Sequence, residues 1–229
     1  MTPSPDFETR LRAIAESLLD RRLTPSDGID PVECEAAQAR LQVPLPEALR
    51  VLHECVGNVP AFMTSFQRFA KLDELRIEGS RLVFAEENQG VCCWGVQPDD
   101  AAQVVWQQTD GKTNAWHAES LDLPSFVLLL LYYQLAQGGY AHAASLDTSD
   151  PDEAPATRAL FDALGTGSGS GWQRVVDHNA LVIHADGPRL VWYFGDASGP
   201  SADDGTVFAS MLKAADLEPF VQRFNFQRL

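Results

Sequence analysis

The chain has 229 residues, 45% of them hydrophobic, a globular composition with enough apolar material for one large domain or two small ones. With 32 acidic against 17 basic residues it carries a formal charge of -15, which disfavours nucleic acid and anionic lipid as partners and favours a basic protein, although acidity also confers plain solubility. The longest apolar run, Phe126 to Tyr133, falls well short of the ~20 residues of a membrane-spanning helix. Four cysteines without framework spacing fit reduced thiols, and Asp6, Glu8, Arg10 and Arg12 leave no apolar leader, so a cytoplasmic protein is expected.

In chain order, "FETRLRAIAESLLD" spaces Phe7, Leu11, Ile14, Leu18 and Leu19 at three and four residues, which predicts an amphipathic helix over 7–20. The turn-rich "LTPSDGIDP" ends it, and Asp30 followed by Pro31 predicts the capped start of a second helix through about Arg40. A third helix starts at Pro46 with Leu49, Leu52 and Val56 inward and Gly57-Asn58 as its stop. The period then changes to two. "RLVFAEENQGVCCWGV" predicts two strands around a polar turn, and "QVVWQQTDGKTNAWHAE" two more around Asp110-Gly111. An apolar helix over 125–136 follows, closed by Gly138-Gly139.

The Asp-, Ser- and Pro-rich stretch from Ala143 to Ala156 reads as a linker or long loop, which sets the expected division at residues 1–144 and 145–229. Beyond it lie a short helix ("ATRALFDALG"), the connector "GTGSGSG", strands in "WQRVV", "ALVIHAD" and "RLVWYFG", a further apolar run from Val207 to Leu212, and a last helix capped by Asp216. About 80 residues are marginal for a free-standing domain, so this part is expected to pack on the first. No internal repeat is present. The overall expectation is an α+β fold, an antiparallel sheet flanked by helices with a C-terminal α+β extension.

The residues that could carry chemistry do not converge. Cys92 and Cys93 are neighbours on a strand, so they point to opposite faces, one of them toward the core, and cannot share a metal. His53 and Cys55 stand two apart on a helix, which is no chelate. His178 and His184 flank a strand at a separation of about 20 Å, and His117 and His142 have no spaced partner. "GTGSGSG" follows a helix and precedes a strand, the wrong order for a phosphate loop, and the same order disqualifies Ser168 and Ser170 as elbow nucleophiles. "DTSDPDE" and "DASGPSADDG" lack the ligand spacing of a calcium loop. The five tryptophans mostly fall inside strands and are assigned to core packing, with Trp116 the best half-exposed anchor.

"LPEALRVLHECVGN", "LVFAEENQGVCCWGV", "QPDDAAQVVW" and "AWHAESLDLPSFVLLLLYYQLAQGG" together resemble the SUKH superfamily, the group related to the yeast cell-wall assembly regulator, over roughly residues 40–140. The matching features are Leu45-Pro46, Gly57-Asn58, the "FAEENQG" turn, Trp94-Gly95 and Ser125-Phe126; Ala101-Ala102 stands where relatives often carry proline. The resemblance implies an α+β fold with an antiparallel sheet, no established catalytic residues, and protein binding through a sheet-and-loop cleft. Many bacterial members look like immunity proteins that neutralise polymorphic toxins, often nucleases or deaminases.

The resulting expectation is a non-catalytic, acidic protein-binding module, an immunity protein without cofactor or metal, whose partner is a basic toxin domain. Glu86, Glu87, Asp99 and Asp100 are expected to steer that partner, with Asn88 in the turn at the binding edge and Trp116 as the desolvated anchor. A regulatory scaffold acting on a cell-envelope or housekeeping pathway is the alternative, and a small hydrolase a third.

Overall fold

A computed structural model describes residues 6–109, 115–165, 171–196, 199–200 and 205–229. Among them the chain forms seven α-helices and two antiparallel sheets, an α+β fold. It divides into two compact units, Met1–Glu16 with Arg21–Gln134, and Ser17–Asp20 with Leu135–Leu229. No helix of the described residues is long and apolar enough to cross a membrane.

The first unit opens with α1 (Phe7–Leu19), of which Leu11 and Ala15 are fully buried. α2 (Pro31–Leu41) begins as expected: the Asp30 carboxylate accepts from the Val32 amide at 2.9 Å, and Pro31 occupies the first position, where its missing N–H costs nothing. α3 (Glu47–Val56) buries Leu49, Leu52 and Val56 and stops at Gly57. A single turn, α4 (Pro60–Met63), buries Phe62.

Six strands follow: β1 (Arg68–Phe69), β2 (Arg76–Glu78), β3 (Arg81–Glu86), β4 (Cys92–Val96), β5 (Val104–Thr109) and β6 (Trp116–Asp122). They pair in the order β1-β3-β4-β5-β6, with β2 also on β3. The β5–β6 turn at Asp110-Gly111 lies outside the described residues. α5 (Leu123–Gln134) begins two residues earlier than its sequence suggested, and being apolar all round it is covered on most sides. It packs on one face of the sheet, where the Phe126 ring meets Phe84 edge-on at 6.2 Å and Trp94 at 5.8 Å between centroids. The buried Gln134 closes this unit: its Oε1 accepts from the Phe66 amide at 2.8 Å and its Nε2 donates to the Gln67 carbonyl at 2.5 Å.

In the second unit, β7 (His142–Asp147) corrects the expected linker. Ala144 and Leu146 alternate with polar Ser145 and Asp147, and the strand lies inside the sheet rather than in a loop. The division therefore falls at Gln134/Leu135 and not near 145. α6 (Ala154–Gly165), β8 (Gln173–His178), β9 (Leu181–Asp186), β10 (Arg189–Asp196), β11 (Gly199–Pro200), β12 (Thr206–Met211), α7 (Ala214–Phe224) and β13 (Gln227–Arg228) complete it. The sheet order is β13-β7-β12-β10-β9-β8, with β11 on β10. Its core gathers Leu146, Leu160, Tyr193, Leu217, Phe220 and Phe224 between the sheet and the two helices. Asp216 does not cap α7: Lys213 holds the cap position, and Asp216 sits in the first turn, where its charge still complements the helix dipole.

Candidate functional site

The face of the first sheet opposite α5 is built by register. Arg68 pairs with Glu86, Glu86 with Cys93, Cys93 with Gln108, and Gln108 with Trp116, so these five residues form one cross-strand row. The adjacent row runs Val83, Gly95, Trp106, Ala118. A bulge between Val83 and Ala85 makes this possible, because it accommodates Phe84 against Phe126 and returns Glu86 to the outer face.

At one end of this face the Arg81 guanidinium carbon lies 4.3 Å from the Trp106 ring centroid and 5.2 Å from that of Trp116, a cation placed against two aromatic faces. All three side chains are half-buried, and among the described residues Arg81 Nε has no hydrogen-bond partner. Gly95 makes the arrangement possible: a β-carbon there would stand 3.1 Å from the Trp116 ring and 3.2 Å from Arg81 Cβ. Without a side chain at this position, Trp116 lies across β4.

At the other end, Glu86 is bonded by Arg68 and by Arg76, the latter at 2.8 Å. The Arg68 guanidinium, helped by Arg76, holds the Glu86 carboxyl below its ordinary pKa against the opposing pull of burial. Arg68 also reaches Glu74 at 3.0 Å and Arg76 reaches Glu78 at 2.7 Å, so the five charges form one network. Glu86 is thus not the free steering carboxylate that its sequence context suggested.

The remaining expected site residues separate. Glu87 is committed to its own turn: its carboxylate accepts from the Gln89 amide at 2.7 Å, and its backbone brackets the turn through bonds to Cys92 and Gly90. Asn88 is exposed, with its amide donating to Gln67 Oε1 at 3.0 Å. Asp99 is exposed, and Asp100 accepts from the Ala102 amide at 2.9 Å in the β4–β5 turn. The two turns lie at opposite ends of the five-residue β4, which at ~3.3 Å per residue puts them some ~15 Å apart. The acidic residues therefore make no single edge; of the expected set, Glu86 and Trp116 share the row.

Cys92 and Cys93 do point to opposite faces, Cys92 accepting from Gln107 Nε2 and Cys93 donating to Gln108 Oε1, both at 3.6 Å. Burial raises both thiols, Cys92 to about 11, so each is protonated at neutral pH and a weak nucleophile. His178 contacts the side chain of Asn179 at 3.0 Å, and His184 is buried and stacked on Tyr193. Among the described residues no three His, Cys, Asp or Glu side chains gather closely enough for a metal ion. Ser168 and Ser170 lie outside the described residues.

Reading the sequence missed Arg81 and assigned Trp106 to the core. The signal available was parity: Trp106 and Gln108 share one face of β5, and Gly95 is the gap in β4 that two rings can cover. Scans against protein-family models, curated proteins and solved structures return no match to this chain.

Proposed function

We propose that this chain works by binding another protein, as an immunity protein that neutralises a basic toxin domain, and that it docks through the outer face of its first sheet. The observation that carries the reading is the Arg81, Trp106 and Trp116 cluster, half-exposed on a sheet face braced by an ion network. Tryptophan and arginine are among the residue types that most often anchor protein interfaces, tryptophan through a large rigid contact area and arginine through its planar guanidinium with several donors. The tethered guanidinium and the pinned Trp116 ring have lost much of their side-chain freedom before a partner arrives, which lowers the entropy cost of association.

The formal charge of -15 supports the choice of a basic partner. Long-range attraction raises the encounter rate, and the partner then loses its own cationic surface to the contact. Exposed carboxylates such as Asp99 contribute to that field, while Glu86, neutralised by two arginines, contributes to the shape and polarity of the docking face. Inhibition by such a protein is steric and electrostatic, with no bond made or broken.

Co-expression with the product of the adjacent gene, followed by a pull-down at low and high salt, tests this. The expected result is capture at low salt, slower association at high salt, and loss of capture with Trp116→Ala. Capture that is unaffected by Trp116→Ala sinks the docking assignment, and failure to protect cells against the captured protein sinks the immunity reading.

A further inference from the structure

The outer face of the first sheet has a recess at its charged end. A pocket of about 210 Å³ there is lined by Arg76, Glu78, Glu86, Cys93, Gln108 and Val91. Three of these residues are joined through their charged heads, Arg76 donating to Glu86 at 2.8 Å and to Glu78 at 2.7 Å. The heads remain open to solvent, with side-chain exposures of 42% for Arg76, 37% for Glu78 and 24% for Glu86. The same three charges act on the Cys93 thiol, whose pKa is raised by burial first, then by Glu78 and Glu86 against Arg76.

The network of Arg68 and Arg76 with Glu74, Glu78 and Glu86 holds two positive and three negative charges, so one negative charge is left over. Both Glu86 oxygens are bonded by arginine, whereas among the described residues Glu78 accepts only through Oε1. Val91, 55% exposed, lines the same pocket and sets an apolar wall beside the acidic one. An apolar wall next to uncompensated carboxylate matches a side chain that has an aliphatic stem and a cationic head. A guanidinium fork needs two free oxygens of one carboxylate side by side, which neither Glu78 nor Glu86 offers. An ammonium donates in three separate directions and can use single remaining lone pairs. At the ~30 Å³ that one water occupies in the liquid, the pocket holds about seven non-hydrogen atoms, enough for one lysine side chain. Gln108 pairs in register with Trp116, so the pocket wall stands one strand spacing, ~4.8 Å, from the aromatic anchor.

We infer that this pocket receives a lysine side chain of the partner, its stem on Val91 and its ammonium on Glu78, while an adjoining part of the partner covers Trp116. The inference rests on the docking face proposed above and names the side chain that this face selects.

The test is a titration of the whole chain, without partner, with Nα-acetyl-lysinamide, followed at the Val91 methyl, the Cys93 amide and the Gln108 side-chain amide. Nα-acetyl-norleucinamide keeps the stem and removes the ammonium. The expected result is a saturable shift at all three positions, with affinity about fivefold lower for the norleucine probe and about threefold lower for the lysine probe on Glu78→Gln. Val91→Ser is expected to cost about twofold through the lost stem contact. Both substituted side chains are exposed, so the variants keep the core intact. The lysine pocket is overturned by the absence of a saturable shift, and equally by an affinity indifferent to the ammonium, to Glu78 or to Val91. The partner takes no part in the titration, so a failed titration overturns the pocket and leaves Trp116-dependent capture to stand or fall by itself.

Discussion

Glu86 and Trp116, thirty positions apart in the chain, stand on one cross-strand row of the first sheet, linked through Cys93 and Gln108. At the ~4.8 Å spacing of neighbouring strands the row sets them about 14 Å apart, a span that one partner segment can cover. Its two ends are chemically different, an arginine-clamped carboxylate and a tryptophan stacked with Arg81.

Truncating the aromatic end should remove most of the binding. Trp116→Ala is expected to weaken partner affinity by about 2 kcal/mol, roughly 30-fold and mainly through a faster off-rate. Asp99→Asn should instead slow association by a smaller factor and flatten its salt dependence, leaving the off-rate unchanged. Surface-immobilised binding kinetics at two ionic strengths separate the two effects.

Gly95 sits closely enough under Trp116 to register a single added methyl group. In Gly95→Ala the new carbon meets the Trp116 ring at 3.1 Å and Arg81 Cβ at 3.2 Å, so the ring and the arginine stem must give by a few tenths of an ångström. The expected cost is about 1–2 kcal/mol of stability, with a shift in tryptophan fluorescence and weaker partner binding. Unchanged fluorescence would mean that Trp116 does not lie across β4.

Gln134 tests how the first unit is closed. With both amide atoms bonded to the backbone around Phe66 and Gln67, Gln134→Leu takes away the partner of the part-buried Phe66 N–H and of the buried Gln67 carbonyl. Urea unfolding should show a loss of about 2–3 kcal/mol. A loss below ~0.5 kcal/mol would mean that this latch contributes little.

Acid should weaken the two units through one buried histidine each. Burial lowers His53 and His184 from 6.5 to about 4, so between those values the unfolded chain binds protons that the folded chain does not. Their stabilising contribution is complete above about pH 6.5 and is lost as pH falls toward 4, to a limit of about 3 kcal/mol per site. Asp27 acts at lower pH. Its carboxyl, held well below the usual range by the Arg21 guanidinium and by Thr24, contributes fully above about pH 4, and that contribution is lost only in stronger acid. Denaturant midpoints measured from pH 7.5 to 3 should fall in those two stages. His53→Leu should flatten the first stage for the first unit; an unaltered pH profile would contradict the assignment.

Periodicity made much of this architecture legible. The 3-4 spacing of Leu11, Ile14 and Leu18 records one buried helix face, the Asp30-Pro31 start is local capping chemistry, and the short apolar runs of β3 and β4 mark strands covered on both faces. β1 and β2 were not legible, because two- and three-residue strands exist only by pairing with β3. β7 was hidden by its polar residues, although Ala144 and Leu146 keep a period of two. The site was half legible. Trp116 could be singled out, but the arginines that neutralise Glu86 come from positions 68 and 76, and only the register after the Val83–Ala85 bulge brings them to it.

The most direct measurement is the indole N–H spectrum of the ¹⁵N-labelled chain, taken with and without the adjacent-gene product. Docking on the outer sheet face predicts large shifts for Trp106 and Trp116, with amide protection along β4, β5 and β6. Complex formation that leaves both indoles and those strands unperturbed would contradict it.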